Sequence, residues 1–135
     1  QLAATNTIVI LTGGGSTRCV PSTFHTSRCD ITRTAELVAA GVQVGYAITG
    51  TSTVRNLRFG AGWAHVRSGL SREDAIASIT STIADAFGLP FGVGRIASNT
   101  LANLVVYNGD PLSLSSSVDL TAIGGSIACY PPPGP

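Results

Sequence analysis

Gly69-Leu70-Ser71-Arg72-Glu73-Asp74-Ala75 opens the stretch that decides the fold of this chain. Ser71 is placed as the N-cap of a helix, and Asp74 follows three residues later, as in a capping box with aspartate instead of glutamate. Apolar residues then recur at helical spacing until Gly88 ends the run: Ala75, Ile76, Ile79, Ile83, Ala84 and Phe87. The sequence therefore predicts one helix from Ser71 to Phe87.

Upstream of that helix, the pattern predicts two buried strands with a helix between them. Thr7–Leu11 and Val42–Ile48 are apolar runs of strand length. The intervening helix begins at Thr32 and is capped by Gly41. Because the joints are short, these elements predict a parallel, right-handed crossover unit. A second helix, weakened by two glycines, is predicted over Val54–Ser68.

Downstream of Pro90 the pattern changes to that of strands. Leu104–Tyr107 predicts a strand, and Val118–Ile123 with Ser126–Cys129 predicts a hairpin closed by Gly124-Gly125. The predicted class is therefore α/β, with two strand–helix units resembling the end of a TIM-type barrel and small antiparallel strands after them. We expect one domain over residues 1–129, with a barrel-like part at 1–90, sandwich-like strands at 91–129 and a proline-rich tail at 130–135.

The composition argues against several function classes. Charged residues make up 11% of the chain, well below the usual ~25%, and all the basic residues are arginine. A net charge of +1 leaves no electrostatic footprint for nucleic acid. No apolar run approaches the ~18 residues of a membrane span. The low charge fits a secreted or densely assembled protein, and it equally fits a compositional bias alone.

The cysteines and the first residue bear on processing. Cys19 and Cys29 flank a short loop that a disulfide can close, which would leave Cys129 free or available to a second chain. The alternative is three buried thiols, since free cysteine is often buried. The chain begins at Gln1 rather than at methionine, so we expect processing from a precursor and passage through an oxidising compartment.

A polar loop over residues 16–30 follows the first strand and is the first candidate site. In open α/β sheets, ligands bind at the carboxyl ends of the strands. We therefore expect a ligand site formed by Phe24, His25, Arg28, Tyr46 and Trp63. The alternative is an ordinary surface loop closed by a disulfide. Gly13–Arg18 lacks the lysine and the spacing of a phosphate loop, and His65 is predicted to be an ordinary helical histidine.

Several motifs of the second half resemble the carboxyl-terminal segment of the amidohydrolases, which are metal-dependent hydrolases built on a barrel. They are Gly69–Ala75, Gly94-Arg95-Ile96 and Leu104–Leu112 (LVVYNGDPL), in that order. The block Val54–Ala64 is similar to fungal amidohydrolase-related proteins. The resemblance spans residues 32–128 and implies the last barrel units followed by part of a small β-sandwich.

The same resemblance implies metal ligands that this chain lacks. The family's site uses a histidine pair on the first barrel strand, a lysine or glutamate, two more histidines and an aspartate after the last strand. The chain has no lysine, and Thr49–Thr53 stands where the aspartate is expected. The resemblance therefore implies ancestry without the family's hydrolysis, and we expect this chain to supply no catalytic residue and no metal site.

Three functions stay open at this point. The first is a non-catalytic protein that binds a small, aromatic or pigment-like molecule. The second is one chain of a processed two-chain hydrolase, with zinc on the partner chain, because a complete barrel takes about 250 residues. The third is a structural or self-assembling secreted protein. Open sheet edges or Cys129 would also allow a homodimer.

Overall fold

A computed structural model of the chain describes residues 5–12, 31–48 and 51–129. It contains a parallel two-stranded sheet with its helices and an antiparallel three-stranded sheet, so the predicted α/β class is confirmed. In chain order the elements are β1 (Ile8–Thr12), α1 (Ile31–Ala39), β2 (Gln43–Ala47), a 3-10 helix (Thr51–Asn56), α2 (Leu57–Ser68), α3 (Arg72–Ala77), α4 (Ser81–Ala86), β3 (Leu104–Tyr107), β4 (Val118–Ile123) and β5 (Ser126–Cys129).

Strands β1 and β2 form the predicted parallel pair, with Val9 opposite Val44 and Leu11 opposite Tyr46. Helix α1 leads from one strand to the other and ends where the sequence predicts. Gly41 adopts φ 72°, a left-handed conformation that glycine takes without a steric penalty. Its amide donates to the Val38 carbonyl, which closes the last turn of α1 and directs the chain into β2.

The single helix predicted from Ser71 to Phe87 is wrong, because the chain forms two short helices there. The cap itself is as predicted, with Ser71 Oγ accepting from the Asp74 amide at 3.0 Å. The helix stops at Ser78–Thr80, where the Ser78 hydroxyl donates to the Ala75 carbonyl and the Thr80 hydroxyl donates to the Ile76 carbonyl. Such local side-chain bonds compete with helical hydrogen bonding.

The interruption between α3 and α4 frees a backbone carbonyl that bonds to the parallel sheet. The Ser78 carbonyl accepts a hydrogen bond from the Tyr46 amide at 2.8 Å, on the edge of β2 that faces away from β1. A continuous helix would have used this carbonyl internally. The turn therefore covers part of the edge that a barrel would pair with another strand.

Both faces of β2 are covered. Val44 and Tyr46 belong to the main apolar core with Ala64 of α2 and Leu70, and Leu37 and Val38 of α1 pack against that core. Successive residues of a strand point to opposite faces, so Gly45 faces the other way. There a Cβ would lie 2.7 Å from Cδ1 of Ile83, so α4 occupies the space that a larger residue 45 would need.

Strands β3, β4 and β5 form the antiparallel sheet with the predicted bounds. Gly124 and Gly125 close the β4–β5 hairpin with φ 57° and 84°, as a two-residue turn requires. The register places five apolar residues on one face of this sheet, which we call the Val106 face: Leu104, Val106, Leu120, Ala122 and Ile127. Its opposite face is mixed and carries Val105, Asp119, Thr121, Ile123 and Ser126.

One arginine joins the helical part to this sheet. Arg58, in the first turn of α2, donates from Nη1 to the carbonyl oxygens of Pro111 and Ser113, both at 2.8 Å. It also contacts Ser116, through Nη1 to Oγ at 3.1 Å and through Nη2 to the carbonyl at 3.1 Å. All of these acceptors lie in the β3–β4 connection.

Packing around Arg58 completes the joint. Its guanidinium lies 4.0 Å from the ring centre of Phe59 and 5.3 Å from that of Tyr107 in β3, a cation–π arrangement. A Cβ on Gly62 would lie 2.9 Å from the Leu112 carbonyl oxygen, so this glycine allows α2 and the connection to approach closely. Farther along, Arg72 pairs with Asp110 at 2.7 Å.

Within the described ranges, no helix has both the length and the hydropathy needed to cross a membrane.

We predict that Arg58→Gln lowers the free energy of unfolding by about 2 kcal/mol or more, because it removes charge-assisted hydrogen bonds to several carbonyls. The matched control is Arg55→Gln, since Arg55 is exposed on the preceding 3-10 helix, and we expect it to change stability by less than about 0.5 kcal/mol. Urea unfolding of the three proteins measures the difference. Equal midpoints for both variants would contradict the role given to Arg58.

Candidate functional site

The candidate site lies beyond the carboxyl ends of β1 and β2, which meet at one edge because the strands are parallel. In the sequence, β1 is followed by the segment that contains Cys19, Phe24, His25, Arg28 and Cys29. Residues 13–30 and 49–50 lie outside the described part of the chain. The predicted roles of the loop residues, and the predicted Cys19–Cys29 disulfide, therefore stay predictions.

Tyr46 is a core residue with an engaged hydroxyl. It is 4% exposed, and its hydroxyl donates to Oγ1 of Thr34 in α1 at 2.9 Å. Burial raises the pKa of the Tyr46 phenol, and its hydrogen bond with Thr34 partly opposes that rise. Tyr46 thus binds α1 to β2, and its hydroxyl already has a partner.

Trp63 lies on the outer side of α2, away from Tyr46. It is 47% exposed, and the guanidinium of Arg67 lies 5.2 Å from its ring centre. The next residue, Ala64, is the one that packs in the core with Tyr46. The structure therefore places the two described aromatic residues of the predicted site in different environments and does not bring them onto one surface.

The remaining residues named from the sequence have local roles. His65 Nδ1 is 2.8 Å from the Leu70 carbonyl oxygen, so the ring is hydrogen-bonded beside the end of α2. Cys129 is the last residue of β5 and pairs in register with Leu120. Its availability to a second chain stays a prediction.

The segment that follows β2 lacks the carboxylate that the resemblance to amidohydrolases leads us to expect there. Zinc in such sites is held by histidine nitrogens and carboxylate oxygens. The sequence after β2, Thr49–Thr53, offers only hydroxyl groups and a glycine. Over residues 5–12, 31–48 and 51–129, no group of three or more His, Cys, Asp or Glu side chains is placed to hold an ion.

Sequence reasoning missed Arg58, whose guanidinium makes four hydrogen bonds to the β3–β4 connection. It lies in the block Val54–Ala64, which drew attention for its resemblance alone. The available signal in the sequence was an arginine at the start of a predicted helix that contains no acidic residue, so its charge had no partner close by in the chain. Its partners are carbonyls, which leave no trace in sequence.

The fold is similar to that of a solved amidohydrolase from Thermotoga maritima MSB8, with a TM-score of 0.74 and 24% sequence identity. The chain has an amidohydrolase-like fold. The similarity covers 93% of this chain and 32% of the solved protein, so the chain spans about a third of its length. No protein-family model matches the chain, and no curated protein matches it.

We predict that Tyr46→Phe lowers the free energy of unfolding by about 1–2 kcal/mol at neutral pH, because Thr34, which is 3% exposed, loses its partner. Tyr107→Phe is the control, since it keeps the ring that Arg58 contacts, and we expect a smaller effect. Urea unfolding measures both.

The raised pKa of Tyr46 also predicts how the stability of the protein depends on pH. The folded state holds the Tyr46 proton more tightly than the unfolded state. The stability that Tyr46 contributes is therefore complete below the unfolded pKa of about 10. It is lost as the pH rises from there through the folded pKa. Wild-type stability should therefore fall above about pH 10 more steeply than that of Tyr46→Phe. Parallel pH profiles would contradict this prediction.

Proposed function

We propose that this chain is a non-catalytic, carboxyl-terminal segment of an amidohydrolase-like assembly, and that a further polypeptide covers its antiparallel sheet. The observation that carries the proposal is the set of exposed apolar side chains on that sheet, which are Val105, Val106, Ile123 and Ile127. An antiparallel sheet with one solvated face normally alternates apolar and polar residues. Here the Val106 face carries no charged residue, and Ile127 on it is 65% exposed.

The opposite face of the sheet supports the same conclusion. Ile123 is 69% exposed there, and Val105 is also exposed. Exposed apolar side chains on the faces of a sheet are typical of an interaction site. Since the chain spans about a third of the similar solved protein, a further polypeptide segment is the occupant that we propose.

The lack of catalysis rests on the chemistry of the donor set. Thr49–Thr53 provides no carboxylate to bind a metal or to accept a proton from water, and the chain has no lysine. This chain therefore supplies structure to the assembly. If the assembly hydrolyses a substrate, the zinc ligands belong to the partner, as in the two-chain hydrolase predicted from the sequence.

A ligand-binding role is the second candidate. Trp63 offers one partly exposed aromatic ring beside Arg67, which favours a planar or anionic molecule at that surface. Four predictions from the sequence remain part of this second candidate. They are an aromatic or pigment-like ligand, a homodimer, a secreted location and a relation to fungal proteins.

Native mass spectrometry of the protein from its producing cells, without reduction, tests the proposal. We expect a complex heavier than the 13.7 kDa chain that contains a second kind of polypeptide. Zinc in that complex would assign the metal site to the partner, and a metal-free complex would support a structural role. A homodimer would replace the partner by a second copy, and a lone 13.7 kDa species would overturn the assembly.

Variants locate the contact. We predict that Ile127→Glu, on the Val106 face, weakens the complex by at least about tenfold, because a carboxylate would be buried in an apolar interface. Val66→Glu on α2 is the control, since that residue is 73% exposed and far from the sheet in sequence. Pull-down from extracts at graded concentrations measures both. Equal retention of the two variants would exclude the Val106 face as the contact.

A further inference from the structure

The turn after β3 contains the dipeptide Asn108-Gly109, whose chemistry has no part in the proposed assembly. In such a pair the amide nitrogen of glycine can attack Cγ of asparagine, because glycine has no side chain to hinder the approach. A bond from the Gly109 nitrogen to Cγ forms, the bond from Cγ to Nδ2 breaks, and ammonia leaves. Water then opens the resulting succinimide to aspartate or isoaspartate.

The folded chain holds Asn108 away from this reaction. Its Oδ1 accepts from the Ser117 amide at 2.9 Å, and its Nδ2 donates to Ser117 Oγ at 2.8 Å. Its own amide donates to the Ser117 carbonyl at 3.1 Å. Both ends of the side-chain amide are thus engaged across the turn, and Cγ cannot rotate towards Gly109 without breaking these bonds.

The attacking group is not restrained in the same way. Gly109 is exposed, and over residues 51–129 its amide donates no hydrogen bond. A Cβ at this position would meet only Ser116 Cβ at 3.6 Å, an ordinary contact. We therefore assign the protection of the site to the Asn108–Ser117 contacts.

We propose that Asn108-Gly109 is a latched deamidation site, kept unreactive by Ser117 and released when the β3–β4 turn opens. Its product bears on the joint between the two parts of the fold. Isoaspartate adds a methylene group to the main chain at residue 108, just before the connection whose carbonyls hold Arg58. It also adds a negative charge near Asp110, which is already paired with Arg72.

The whole chain is incubated at neutral pH, and peptide mass spectrometry then measures the conversion of Asn108 to aspartate or isoaspartate. This experiment tests whether Ser117 protects Asn108. We expect conversion to be about tenfold slower in the folded chain than in urea, since two ordinary hydrogen bonds shift a population by about that factor. Ser117→Ala, which removes the Oγ acceptor, should speed conversion in the folded chain about threefold. In urea its rate should equal that of the wild type.

Two control variants make the test specific. Ser115→Ala removes a hydroxyl of the same loop that contacts Ser113 and not Asn108, so it should leave the rate unchanged. Gly109→Ala should suppress conversion in urea, because its side chain hinders the attack. Equal rates in the folded and urea-unfolded wild type, or a folded Ser117→Ala chain that converts no faster than wild type, would overturn the proposal.

Discussion

The contact of Arg58 with the β3–β4 connection is the interaction on which the rest of the structure depends. Among the described residues, the main apolar core is centred on β2 and α2 and contains no residue of the antiparallel sheet. The guanidinium of Arg58 joins the two parts by donating hydrogen bonds to carbonyl oxygens 53 to 58 residues away in sequence. Gly62 allows α2 and the β3–β4 connection to approach closely. A planar group with five donors suits this task, and a lysine ammonium could not reproduce its geometry.

A second constraint acts on β2, which has to be stable with only one partner strand among the described residues. Two-stranded sheets are marginal in water unless other elements cover them. Here α1 and α2 cover one face, α4 covers the other at Gly45, and the Ser78 carbonyl satisfies one edge amide. The barrel-like part is therefore packed on several sides, whereas the antiparallel sheet keeps apolar side chains such as Ile123 and Ile127 exposed. That asymmetry is the physical basis for assigning the partner to the sheet.

Elements governed by local chemistry could be predicted from the sequence. The strands β3 to β5, the glycine turn, the Gly41 cap and the Ser71 cap all follow from residues that act on their nearest neighbours. The break between α3 and α4 could not, because it depends on a carbonyl that bonds to Tyr46 more than thirty positions away in the chain. The contacts of Arg58 could not be predicted for the same reason, because their acceptors are carbonyls far away in the chain. Of the residues of the predicted site, Tyr46 and Trp63 lie in different environments. The Tyr46 side chain is buried in the core, whereas the Trp63 side chain is partly exposed on α2.

We therefore assign to Arg58 the main link between the helical part and the antiparallel sheet, with the Arg72–Asp110 pair beside it. Native-state hydrogen exchange of the buried Ala122 amide in β4 and the buried Val44 amide in β2 tests this most directly. If Arg58 makes the chain one cooperative unit, both amides should exchange with the same opening free energy, equal to that of global unfolding. A sheet that opens at a clearly lower free energy than β2 would contradict this account.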